Sequence, residues 1–233
     1  MVSQIKNDLK KLSNKEKAVV LMGFFKTAPG EYGEGDKFIG VTVPNTRIIA
    51  KKYQDISIDK TVELLKSEVH EHRLCALLIL VVKYENGNQQ EKKRIYHTYL
   101  KNSKYINNWD LVDLSAHKIV GEYILLEPKE RKTLLKLASS QDLWERRISI
   151  VATFAFIKKQ QFDETLKISK ILLEDSHDLI HKAVGWMLRE LGKKDQSIEE
   201  NFLEEHHKIM PRTMLRYSIE KFSDKKRKYY MKK

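Results

Sequence analysis

Asn107-Asn108-Trp109-Asp110-Leu111-Val112-Asp113 reads as the opening of a helix with an Asn at its N-cap. Asn serves there because its side chain accepts a hydrogen bond from a first-turn N–H. Trp109 and Asp113 are four residues apart, so indole and carboxylate lie on one helix face, one turn from each other. The piece inside this stretch, Asp110-Leu-Val-Asp-Leu, has counterparts up and down the chain. They are Arg73-Leu-Cys-Ala-Leu, Arg147-Ile-Ser-Ile-Val, Lys182-Ala-Val-Gly-Trp and Arg216-Tyr-Ser-Ile-Glu. From Arg73 through Asp110 to Arg216, the first residues are 37, 37, 35 and 34 apart. Each falls near the start of the second helix of a helical pair. A period in this range, with two helices per unit, is the sequence sign of an α-solenoid. The Trp, Gly-Tyr and Pro consensus of tetratricopeptide repeats is absent. The expected fold is therefore all-α, a superhelix of roughly six HEAT-like pairs with a concave face.

Outward from this stretch, helical patterns follow one another with short breaks. They fall near 58–67, 71–85, 89–102, 108–125, 129–139, 143–159, 163–174, 178–191, 198–208 and 212–222. Ser57 and Ser197 are expected as N-caps, Pro128 and Pro211 at first-turn positions, and Asn86-Gly87 and Gly192 as stops. Ser3 to Phe25 carries Ile5, Leu9, Leu12, Val19, Val20 and Phe24 at helical spacing. Thr27 to Asp36 then holds three of the nine glycines and a proline, which makes it loop or tight turns. Pro44 suits the first residue of a helix reaching about Tyr53. The expected organisation is one HEAT-like domain over 1–224, with a glycine-rich insertion at 27–40. A basic tail, 225–233, with six cations and two tyrosines follows it and is expected to be partly disordered.

The chain has 233 residues, enough for a substantial core, and 33% of them are charged. Its 44 Lys and Arg against 32 Asp and Glu, a net charge of +12, favour an anionic partner, most often nucleic acid. One cysteine, Cys75, forbids an internal disulfide and suits a reducing cytoplasm. Its apolar surroundings describe a packing residue rather than a nucleophile. The N-terminus lacks a basic head followed by an apolar run, so no signal peptide is expected. The longest apolar run, Cys75 to Val82, is too short to span a bilayer. A cytoplasmic monomer with no membrane association is expected.

Stacked pairs place equivalent positions in a row along one wall. Four of the five row positions (Arg73, Arg147, Lys182 and Arg216) are cationic, and Asp110 is the fifth. Such a row suits a phosphate backbone, each cation releasing condensed counterions. The competing expectation is that some of these side chains pair within the repeat or cap helix ends.

Three motifs carry a family resemblance: Asn-Trp-Asp-Leu-Val-Asp at 108–113, Trp-Glu-Arg-Arg-Ile-Ser-Ile at 144–150, and Ile-His-Lys-Ala-Val-Gly-Trp-Met-Leu-Arg-Glu at 180–190. Together they resemble the AlkD family of alkylpurine DNA glycosylases, over most of the chain. The resemblance implies a HEAT-like superhelix that holds duplex DNA, with the acidic catalytic residue at Asp113 and active-site tryptophans at Trp109 and Trp186. It also implies a backbone-contacting arginine at Arg147, the second of the pair Arg146-Arg147, and release of 3-methyladenine- and 7-methylguanine-type bases from alkylated double-stranded DNA. Arg146, Lys182, Arg73 and Arg216 complete the candidate DNA contacts. Trp144 is expected in the core.

No metal or other cofactor is expected. His206-His207, His70-x-His72 and the Asp113/His117 pair lack a third ligand at a workable spacing. Gly30, Gly33 and Gly35 match no phosphate-binding fingerprint. The glycine loop, with Glu31, Glu34 and Asp36, is longer and more acidic than the AlkD pattern. Two further readings stay open: a non-catalytic binder of branched or damaged DNA, as in AlkF- and AlkG-type relatives, and a HEAT-like protein-interaction scaffold. In the first, the loop is either a hairpin inserting at a junction or a plain surface connection.

Overall fold

The computed structural model describes residues 1–232; Lys233, the end of the basic tail, lies outside the described residues. The described residues are mostly helix, with no strand among them. They fall into two compact units, one ending at Ile119 and the other beginning at Val120.

The first unit contains α1 (Val2–Lys11), α2 (Lys15–Phe24), α3 (Val43–Lys52), α4 (Ile58–Leu65), α5 (His70–Asn86), α6 (Gln89–Lys101) and α7 (Trp109–Ala116). Helix α5 is apolar all round from Leu74 to Val81, a composition that requires burial on every side. It is buried without interruption from His70 to Val81, with α3, α4, α6 and α7 all packed against it. Four polar residues, His70-Glu71-His72-Arg73, open it and go into the interior with the rest, so each needs a partner there.

The second unit contains α8 (Glu122–Leu126), α9 (Arg131–Ala138), α10 (Leu143–Ala152), α11 (Phe154–Lys158), α12 (Asp163–Ile171), α13 (Asp178–Gly192), α14 (Gln196–His206), α15 (Arg212–Ser218) and α16 (Asp224–Met231). Helix α13 is its centre and touches α10, α12, α14 and α15. Gly185 sets its approach to α15: a β-carbon there would come 2.4 Å from the Met214 carbonyl oxygen and 2.5 Å from Tyr217 Cβ. Trp144 is buried, as expected.

Several boundaries differ from the sequence reading. The segment from Ser3 to Phe25 breaks at Leu12–Asn14, where Asn14 caps α2 by accepting from the Lys17 N–H at 2.8 Å. The segment 143–159 breaks at Thr153, whose N–H and hydroxyl both donate to the Ile150 carbonyl. The segment 108–125 passes through a π-helical turn, His117–Gly121. The cap of α14 is Asp195 rather than Ser197, since its carboxylate accepts from the N–H groups of Ser197 and Ile198. The tail from Lys225 is helical through Met231, because Ser223 caps it and the buried Tyr230 donates its hydroxyl to Glu204 at 2.9 Å.

Gly185→Ala is expected to lower unfolding stability by about 1–3 kcal/mol, since the added methyl meets backbone and a short side-chain stem. Chemical denaturation followed by circular dichroism measures this, and an unchanged midpoint would mean α13 and α15 separate freely.

Candidate active site

Helix α7 starts where the sequence placed it, and the Asn108 side chain accepts from the Trp109 N–H at 2.8 Å. Trp109 and Asp113 are both half-buried on the α7 face that borders an apolar cavity of about 530 Å³. Phe24, Phe25, Phe38 and Leu74 form much of its wall, with Lys17 also lining it. The Trp109 ring stacks on Phe25 with centroids 5.0 Å apart and planes 18° from parallel, and Phe24 meets it edge-on at 5.7 Å. Phe25 stacks in turn on Phe38 at 5.0 Å, and Phe38 on the His70 imidazole at 4.4 Å. Each such pair adds about 0.5–1.5 kcal/mol beyond the area it buries.

Below the stack lies a closed set of buried charges. His70, 2% exposed, places Nδ1 3.1 Å from Asp36 Oδ2 and Nε2 2.8 Å from Asp110 Oδ2. Arg73 donates to the other Asp36 oxygen at 2.6 Å, and Asn108 Nδ2 donates to Asp36 Oδ2 at 3.3 Å. The two carboxylates thus face two cations. The glycine loop delivers Asp36 and is fastened on both sides of it. Lys37 pairs with Val69 as an isolated bridge, and the buried Glu71 carboxylate accepts from the N–H groups of Ile39, Gly40 and Val41. Gly40 has φ +80°, and a β-carbon there would lie 2.0 Å from the Asn14 carbonyl oxygen. The end of the loop, Asp36 to Val41, is therefore built into the unit, while Ala28, Pro29, Gly30, Glu34 and Gly35 are exposed.

The candidate cations mostly turn inward. Arg73 donates to the Ser67 and Glu68 carbonyls besides Asp36, and it is 3% exposed. Arg146 donates to the Ser140 and Gln141 carbonyls and to Asp175 at 2.6 Å. Ser67 Oγ accepts from the Val69 N–H and bonds His72, while Ser140 Oγ accepts from the Asp142 N–H and bonds Glu145. Segments 67–73 and 140–146 are thus the same hydrogen-bonded motif, and a further form recurs where His181 bonds the Asp175 carbonyl. This corrects the repeat register: Arg146 and His181, not Arg147 and Lys182, are equivalent to Arg73, each being the fourth residue of its helix, whereas Asp110 is the second residue of α7 and falls outside the row. It also corrects the role of Arg73 and Arg146, which satisfy loop carbonyls that burial would otherwise leave unpaired. Arg147 is buried as well and donates to the Leu179 carbonyl. Lys182 is half-exposed beside Asp178 at 2.7 Å, and Arg216 is exposed. Trp186, half-buried, lies 6.0 Å from Phe154.

The model of the family described as DNA alkylation repair enzyme matches residues 5–222. The chain belongs to that family. Among solved structures it is similar to a predicted DNA alkylation repair enzyme from Enterococcus faecalis, at a TM-score of 0.71 and 17% identity, over 91% of this chain and 97% of that one. No curated protein matches the chain. The fold is that of this DNA alkylation repair neighbour, an all-helical array of the α-solenoid class, and no described helix is long and apolar enough to cross a membrane.

In this DNA alkylation repair protein, burial pushes the Cys75 thiol up to about 12, which removes it as a nucleophile near neutral pH. Sequence reasoning missed Asp36, His70, Asn108 and the Phe25–Phe38 stack as parts of the site. The available signal was the run His70-Glu71-His72-Arg73 opening a helix that is then wholly apolar from Leu74 to Val82.

Burial alone favours a neutral His70, but the Asp110 and Asp36 carboxylates outweigh it and hold the imidazolium above its usual pKa, with Arg73 opposing. Burial likewise pushes the Asp36 carboxyl up, but His70, Arg73 and Asn108 outweigh it and hold it below the usual range. The His70 contribution to stability is fully present below its unfolded pKa, roughly 6.5, and is lost as pH rises through the raised folded value. That of Asp36 is present above roughly 3.9 and is lost as pH falls through the lowered value. Melting temperature against pH is thus expected to show an alkaline and an acid decline. In His70→Gln the alkaline decline should flatten; an unchanged profile would remove His70 from the balance.

Proposed function

We propose that the protein is a DNA glycosylase that releases cationic N3- or N7-alkylated purines from duplex DNA. The observation that carries this reading is the joint placement of Trp109 and Asp113 in the lining of one apolar, aromatic cavity. Membership of a DNA alkylation repair family supports it.

An N3- or N7-alkylated purine carries a formal positive charge. When its N-glycosidic bond breaks, the bonding electrons go to the base and neutralise it, and positive charge develops on the sugar. The Asp113 carboxylate stabilises that charge and orients a water, whose oxygen bonds to C1′ while its proton passes to the carboxylate or to solvent. The Trp109 face, held by Phe25, attracts the cationic sugar or base by about 0.5–2 kcal/mol. An apolar wall strengthens both effects, because few dipoles compete with the carboxylate. In the second unit, Trp186 is assigned to the nucleotide, while Arg147, buried and bonded to the Leu179 carbonyl, is not assigned a phosphate. Lys182 and Arg216 add side chains that reach solvent and contact the backbone. No step requires a metal.

Asp113→Asn is expected to reduce release of alkylated purine from methylated duplex DNA by about 100-fold or more, with folding intact. Equal release by both proteins would remove Asp113 from the mechanism. If the wild-type protein releases no base, binding decides between the remaining readings: preference for three- or four-way junctions marks a branched-DNA binder, and absence of salt-dependent DNA binding marks a protein scaffold.

A further inference from the structure

We propose that His70, clamped between Asp36 and Asp110, is a positioning residue whose positive charge holds Trp109 and Asp113 in their working geometry. This rests on the glycosylase reading for its activity arm, but not for its structural arm.

Trp109 has a cluster member on each side of it in sequence. Before it, Asn108 accepts from the Trp109 N–H and donates to Asp36. After it, Asp110 accepts from the Leu111 N–H at 2.9 Å through one oxygen and bonds His70 through the other. The first turn of α7 is thereby tied at two points to one imidazole and one carboxylate. The ring has a third connection, since the stack from Trp109 runs through Phe25 and Phe38 to His70 itself. Asp113 follows one turn later on the same helix, so a shift of the first turn carries the carboxylate with it.

Both His70 nitrogens face carboxylates. Only the doubly protonated ring donates from both, whereas a neutral ring presents a lone pair to one of them. The groups around it are Asp36 on the glycine loop, Asp110 and Asp113 on α7, Glu71 and Arg73 on α5, and Lys17 on α2, across the shared cavity. Loss of the proton leaves two buried carboxylates without the imidazolium between them, Arg73 pairing with Asp36 only, and the link from Asp36 to Asp110 opens. The glycine loop thus acts as the outer clasp of the site, by delivering Asp36.

The test uses a protein whose only indole is Trp109 (Trp144→Phe with Trp186→Phe), followed by acrylamide quenching and, in the parent protein, by base release. Quenching of Trp109 should rise in a single titration on the alkaline side. Asp110→Asn should move that midpoint to lower pH, because it removes the carboxylate that favours the imidazolium. His70→Gln should abolish the titration and lower kcat by about 10- to 100-fold with KM little changed. Quenching that is flat with pH, or a midpoint that Asp110→Asn leaves in place, overturns the inference, and neither outcome depends on His70→Gln folding. If base release is absent from the parent protein while the quenching titration is present, the glycosylase reading fails and the positioning role stands.

Discussion

The first unit depends on one interaction, the buried contact of His70 with Asp36 and Asp110. A charge taken out of water is tolerated only with partners and hydrogen bonds in place. Here each partner arrives from a different part of the chain: Asp36 from the glycine loop, His70 and Arg73 from the first turn of α5, Asp110 from the first turn of α7. Satisfying the charges therefore fixes how these three segments meet. A cluster of this kind contributes less to net stability than to choosing one arrangement over others, because its desolvation opposes most of its attraction. Removing one member is costly, since the rest stay buried and unbalanced.

The same rule explains the arginines. A helix that enters the interior directly after a turn brings loop carbonyls with it, and these need donors. Arg73 and Arg146 supply them with the same pattern of bonds at corresponding places, six and five residues back. The periodic cations that suggested a phosphate-following row are thus, at these two positions, part of how each repeat closes. Asp110 does not share that place: it is the second residue of its helix rather than the fourth, and its partner is His70 rather than a carbonyl. A position that broke the basic pattern in sequence is the one that joins the site to the core.

Above the charges, the aromatic stack turns a firm base into a firm surface. A tryptophan packed against Phe25 on a tied helix turn has little freedom left to lose when a substrate arrives, which favours chemistry that depends on placement. The neighbouring wall is apolar, and Trp109 and Asp113 both belong to its lining.

The sequence by itself determined the all-α class, the recurrence of helical pairs, most helix positions, and the Trp109–Asp113 face. These follow from periodicity and capping, which act over a few residues and are written locally. It also showed the resemblance to a DNA alkylation repair family, because whole motifs such as 180–190 survive as runs. Only the tertiary structure decided which polar residues belong to the site and which to the scaffold. Asp36 reads as loop acidity until it is seen against His70, 34 residues away, and Arg146 cannot be told from Arg147 until one is seen to donate to Ser140 and the other to Leu179. Burial and pairing are properties of segments brought together in space, and a charge carries no mark in sequence of whether its partner is water, a carbonyl or another chain.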